Sequence, residues 1–160
     1  MRRLSDLPAD EAAAALRAVC ASSRWVERML SQRPFKSADE VFESATRIWN
    51  DLAREDWLEA FAAHPRIGAH AEGTAAAEQA GMSQAGDELK AAMAQANREY
   101  EARFGWIYLV CATGRTAEEM LNFARRRMSN PPDEELKVAA AEQDRITRLR
   151  LEKLLVIGSA

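Results

Sequence analysis

Apolar residues recur with a helical period along most of this chain. The run Glu11-Ala12-Ala13-Ala14-Ala15-Leu16-Arg17-Ala18-Val19, between Asp10 and Cys20, is rich in strong helix formers and predicts a first helix. Trp25, Val26, Met29 and Leu30 share one face of a second, capped by Ser22 or Ser23 and broken at Arg33-Pro34. Ser37-Ala38-Asp39-Glu40 has the form of a capping box, and Val41, Phe42, Ala45, Ile48, Trp49 and Leu52 follow at helical spacing. A fourth helix opens at Asp56 and climbs through Trp57 and Phe61 to His64, where Pro65 disfavours any further turn. The small, polar stretch Ala69-His70-Ala71-Glu72-Gly73-Thr74 reads as a loop. A brief helix over 75–81 then ends at Gly81. A long helix from about Asp87 to Arg103 lines up Leu89, Met93, Ala96, Asn97 and Tyr100. Thr116-Ala117-Glu118-Glu119 is a second capping-box pattern, opening a helix to about Ser129, and the last helix runs from near Asp133 to Leu155.

One stretch breaks the period. Phe104-Gly105-Trp106-Ile107-Tyr108-Leu109-Val110-Cys111-Ala112 has the aromatic and β-branched content of a strand, yet no second such run exists to pair with it. The expectation is therefore a single all-α domain over residues 1–160: a bundle of about seven to eight helices with one buried extended segment, or a helix start, at 104–112. An unpaired extended segment offers its backbone donors and acceptors to a ligand.

Composition narrows the function classes. With 48% hydrophobic and 29% charged residues the chain is an ordinary globule, and a net charge of -3 disfavours nucleic acid as a partner. The one dense basic run, Arg125-Arg126-Arg127, reads as cations in the last turn of a helix. No segment approaches the ~20 apolar residues of a membrane span, and the basic N-terminus has no apolar run behind it. Cys20 and Cys111 are isolated in sequence, which suits a reducing, cytoplasmic setting.

The candidate chemistry centres on His64, the side chain at a helix end whose unperturbed pKa, about 6.5, allows proton transfer near neutral pH. Gly68 frees the backbone to turn away behind it. The pair Glu78-Gln79, among small residues, reads as a solvated face. In the last helix Ile146, Arg150 and Leu154 stand at i, i+4 and i+8, so Arg150 either snorkels outward or meets an anion, such as Glu78 or a substrate carboxylate. His64, His70, Glu72 and Glu78 have the composition of a metal site, but their spacing fits no helical ligand pattern, and no metal is expected. A non-enzymatic helical adaptor, with Trp25, Trp49, Trp57 and Trp106 in its core or in a partner groove, is the alternative from another class.

Several blocks, taken together, resemble one family. His64-Pro65-Arg66-Ile67-Gly68, Glu78-Gln79-Ala80-Gly81, Asn97 with Tyr100, Arg103-Phe104-Gly105, Gly114-Arg115 with Glu118-Glu119-Met120-Leu121, Arg127 with Asn130, and Ile146 with Arg150-Leu151 run in the order found in 2-oxo-4-hydroxy-4-carboxy-5-ureidoimidazoline (OHCU) decarboxylases. The resemblance implies an all-helical, cofactor-free enzyme, usually a homodimer, that converts OHCU, formed downstream of urate oxidation, to S-allantoin and CO2. It assigns catalysis to His64 and Glu78, and substrate contacts to Pro65, Gln79, Arg150 and the backbone of Val110, Cys111, Ala112, Thr113 and Gly114. There is one departure: the family commonly carries serine three residues before the Glu of this pair, and here that position is Ala75.

Overall fold

In a computed structural model, residues 2–69, 73–83 and 85–157 are described, and among them the regular elements are all helices: α1 (Arg2–Asp6), α2 (Ala9–Val19), α3 (Ser23–Ser31), α4 (Ala38–Asn50), α5 (Arg54–Ala62), α6 (Gly73–Glu78), α7 (Ala80–Ser83), α8 (Asp87–Phe104), α9 (Ala117–Arg127) and α10 (Pro132–Ile157). The all-α class follows from the sequence period. The count of ten exceeds the expected seven to eight for two reasons. α1 has only five residues and no period to read, and the brief helix near residue 78 is two short helices that meet at Gln79.

The chain forms two compact units, one built from the residues up to Ala60 together with those from Asp144 on, the other from Phe61–Gln143. In the first unit α2 packs on α3 and α3 on α4, around Leu16, Trp25, Met29 and Trp49, each 1% exposed or less. Ser22, rather than Ser23, caps α3 by accepting from Trp25 N at 3.3 Å. The Trp25 indole donates to Ala45 O at 3.1 Å and the half-buried Trp57 indole to Trp49 O at 2.9 Å, so two tryptophans join helices through their polar edges. Ser37 caps α4 as the pattern predicts, accepting from Glu40 N at 3.1 Å, but Glu40 reaches back to Lys36 N at 2.5 Å instead of the capping serine's own N–H. Thr46 donates to Asp144 at 3.1 Å, fastening α4 to the later part of α10. α1 is tied down by Arg33, which donates to the carbonyls of Ser5 and Leu7, and by its buried Leu4.

In the second unit α8 packs on α9. α8 closes with Gly105 in the left-handed conformation, and the chain continues as the extended segment the sequence predicts, with Trp106, Tyr108, Leu109, Val110, Cys111 and Ala112 all buried. A buried polar cluster holds it. Arg127 is not a solvated last-turn cation: its Nε donates to Glu135 Oε1 at 2.6 Å and its Nη1 to Leu109 O at 2.8 Å, with its guanidinium 5.0 Å from the Tyr108 ring centre. Glu135, wholly buried, also accepts from the Tyr100 hydroxyl at 2.7 Å and from Asn130 Nδ2 at 2.9 Å, and Trp106 Nε1 donates to Tyr100 at 3.0 Å. The basic run placed Arg127 correctly in the last turn; the carboxylate three residues after Pro132 turns it inward.

Candidate functional site

α5 ends at Ala62, and the chain closes one last turn, His64 N donating to Phe61 O at 3.1 Å, before Pro65 stops it. His64 is thus set at a helix end, as the sequence anticipates, and is half-buried there. Its Nε2 lies 2.6 Å from Oε1 of Gln143, a residue with no exposed surface in the middle of α10. Behind the histidine the backbone turns at Gly68, whose φ of 84° is the left-handed region that a side chain rarely adopts. There its N–H donates to Gln79 Oε1 at 3.0 Å. Asn97 on α8 fixes the same loop by donating to Ile67 O at 2.8 Å.

Glu78 and Gln79 are both half-buried, so the expected solvated face is only partly that. Gln79 turns toward the histidine loop, and the Glu78 carboxylate comes near enough to Cys111 to help raise its thiol pKa. Burial is the largest cause of that rise; the Glu142 carboxylate adds to it more strongly than Glu78, against the Thr113 N–H and Arg115. Cys111 is consequently held as a thiol and is unsuited to nucleophilic attack; Cys20, in the first unit, is pushed up to about 11 by its burial.

These interactions relate four pieces of chain. Gln143 and Glu142 are neighbours on α10; the first meets His64, the second and Glu78 both act electrostatically to raise the Cys111 thiol, and Gln79 returns to the loop that follows His64. The extended segment contributes backbone. Arginines take three of its acceptors: Arg127 at Leu109 O, Arg115 Nε at Cys111 O at 3.0 Å, and Arg115 N at Ala112 O at 3.1 Å. Among the described residues the N–H groups of Val110, Cys111 and Ala112 enter no backbone ladder, while the Thr113 N–H is turned on the Cys111 thiol. Gly114 itself turns with a φ of 75°.

The structure thus brings His64, Pro65, Glu78, Gln79 and the 110–114 backbone into one unit. Arg150 belongs to the other, where it is half-buried and its Nη1 donates to Val19 O at 3.3 Å and Ala18 O at 3.5 Å, at the C-terminus of α2. A cation there also meets the negative end of the helix dipole. Among the described residues no three His, Cys, Asp or Glu side chains gather as a metal-binding group, and His70 and Glu72 lie outside the described residues. Gln143, Glu142 and Arg115 carried no site role in the sequence reading. The signal for Gln143 was present: it is a long polar side chain in the row of Leu136, Ala139, Ala140 and Leu151, the same anomaly that drew attention to Arg150.

Gly81 shows how closely α7 is pressed onto the turn after Gly114. A Cβ at Gly81 would stand 2.2 Å from the Arg115 carbonyl oxygen, a backbone atom that cannot swing aside. Gly81→Ala is expected to cost about 1–3 kcal/mol by overpacking, read as a fall of several degrees in the thermal midpoint. An unchanged midpoint would contradict the close approach.

A sequence model of the OHCU decarboxylase family matches residues 5–152. The chain belongs to the OHCU decarboxylase family. It is 35% identical over 84% of its length to the Arabidopsis thaliana uric acid degradation bifunctional protein TTL, of which it spans 44%. It is 31% identical to the 2-oxo-4-hydroxy-4-carboxy-5-ureidoimidazoline decarboxylase of Haloferax volcanii, over 81% of this chain and 80% of that one. Among solved structures, an OHCU decarboxylase determined in the presence of (S)-allantoin superposes with a TM-score of 0.78 at 37% identity, covering 86% of this chain and 94% of the other. The adaptor alternative is set aside by this membership. No helix among the described residues is long and apolar enough to cross a membrane.

Proposed function

We propose that this protein decarboxylates OHCU to S-allantoin and CO2 without a cofactor, in urate degradation. The observation that carries the reading is the placement of a helix-end imidazole, His64, in the same compact unit as Glu78 and an extended backbone with unladdered donors, in a chain of this family. Loss of CO2 breaks the bond between the carboxyl carbon and the hydroxyl-bearing ring carbon; the electron pair moves into the bond to the adjacent ureido-bearing carbon, whose C=N nitrogen takes up the displaced pair and a proton, leaving an enol whose hydroxyl oxygen carries negative charge as it gives up its proton. Backbone N–H groups of Val110 to Gly114 stabilise that developing oxyanion, and they are held in advance by the buried cluster around Arg127, so little reorganisation is needed. A proton must then reach one face of the neighbouring ureido-bearing carbon as the hydroxyl-bearing carbon becomes a carbonyl. His64 delivers it, either as an imidazolium or after accepting the proton of the substrate hydroxyl, and Glu78 binds the ureido N–H groups or orients the ring. Gln79, held by the Gly68 N–H, and Pro65 contact the substrate. The role of Arg150 as an anion contact rests on the family resemblance alone, as do a homodimeric assembly and a cytoplasmic location. Ala75 removes one hydroxyl that family members commonly offer the substrate, which lowers affinity more than rate.

The test is to generate OHCU in situ from urate and follow its decay by circular dichroism with and without the protein. Rapid appearance of optically active S-allantoin is expected. Decay at the spontaneous rate to racemic product would refute the assignment.

A further inference from the structure

We propose that Gln143 is a positioning residue that fixes His64 as its Nε2–H tautomer; the relevance to turnover rests on the decarboxylase reading above, but the geometry does not. A carboxamide oxygen can only accept, so a ring nitrogen 2.6 Å from Gln143 Oε1 carries the proton. A neutral imidazole has one N–H, which places its lone pair on Nδ1. A proton taken up by the ring then arrives at Nδ1, and Nε2 remains a donor in both charge states. His64 therefore gains and loses its proton without changing its partner at Gln143, and the ring need not turn during the cycle. The support is rigid because Gln143 has no exposed surface and sits mid-helix, its rotamer locked by packing. The reverse amide orientation would present N–H to Nε2 and demand the opposite tautomer, which makes the two arrangements spectroscopically distinct.

The chain has two histidines, so nitrogen NMR of protein carrying isotope-labelled histidine, with His70→Gln for assignment, reads His64 directly. At high pH the wild type is expected to show a protonated Nε2 and a bare Nδ1. Gln143→Leu, which removes the acceptor, is expected to return a tautomer mixture and to lower kcat by roughly tenfold or more while KM moves less than about twofold. Gln143→Glu keeps an acceptor oxygen in place and is expected to restore the Nε2–H form. A wild-type ring protonated on Nδ1 overturns the proposal, whatever the variants do, and so does a Gln143→Leu protein with both tautomer and kcat unchanged. Because the wild-type spectrum does not depend on turnover, the two readings fail separately. An Nε2–H ring in a protein inert toward OHCU sinks only the decarboxylase assignment; a fast enzyme with an Nδ1–H ring sinks only this one.

Discussion

His64→Ala is expected to yield a folded protein whose OHCU decarboxylation rate has dropped by about a hundredfold to ten-thousandfold, the usual contribution of a positioned general acid or base. The fold should survive because the side chain is only half-buried at the end of α5, and the bond it gives up to Gln143 is worth about 1 kcal/mol net. The loss belongs in kcat, since the imidazole acts on the proton that moves as CO2 leaves, a demand made in the transition state and not in ground-state binding. The check is the circular dichroism assay run alongside a thermal melt. A variant that melts like the wild type and keeps full stereoselective activity would remove His64 from the mechanism.

The second large effect concerns stability. Arg127→Met would keep the length of the side chain and leave Glu135, wholly buried, without its cation, and Leu109 O without its donor at 2.8 Å. Removing one partner of a buried ion pair costs about 3–5 kcal/mol because the remaining charge has neither water nor a counterion. Against a typical total of about 5–15 kcal/mol, that is a large fraction of the whole. Denaturant unfolding should show a clear fall in midpoint. The double replacement Arg127→Met with Glu135→Leu should recover part of it, since the stranded carboxylate is gone. Should the single variant unfold at the wild-type midpoint, the cluster is not what holds the 106–112 segment.

That segment shows where sequence reading stops. Its aromatic and β-branched content marked it as extended, and the lack of a second such run argued against a sheet, both of which the fold bears out. What stabilises an extended strand with no neighbour could not be read. The answer lies in Arg127, Glu135, Tyr100, Asn130 and Trp106, five positions spread from the end of α8 to the start of α10, whose hydrogen bonds exist only after the helices pack. Arg127 read as an ordinary last-turn cation because its neighbours Arg125 and Arg126 are such.

The sequence by itself determined the helical class, the capping of α4 and α9, the stop at His64-Pro65, the turn at Gly68, and the family, because each depends on a local period, a cap or a short motif carried by adjacent residues. Only the tertiary structure decided that Gln143 meets His64 across 79 positions of chain, that Glu142 and Glu78 both approach Cys111, and that Arg150 spends Nη1 on the end of α2. The physical reason is range. A backbone dihedral or a cap is fixed within about one helical turn, whereas the partner of a buried polar side chain is chosen by whichever distant group packing delivers to it.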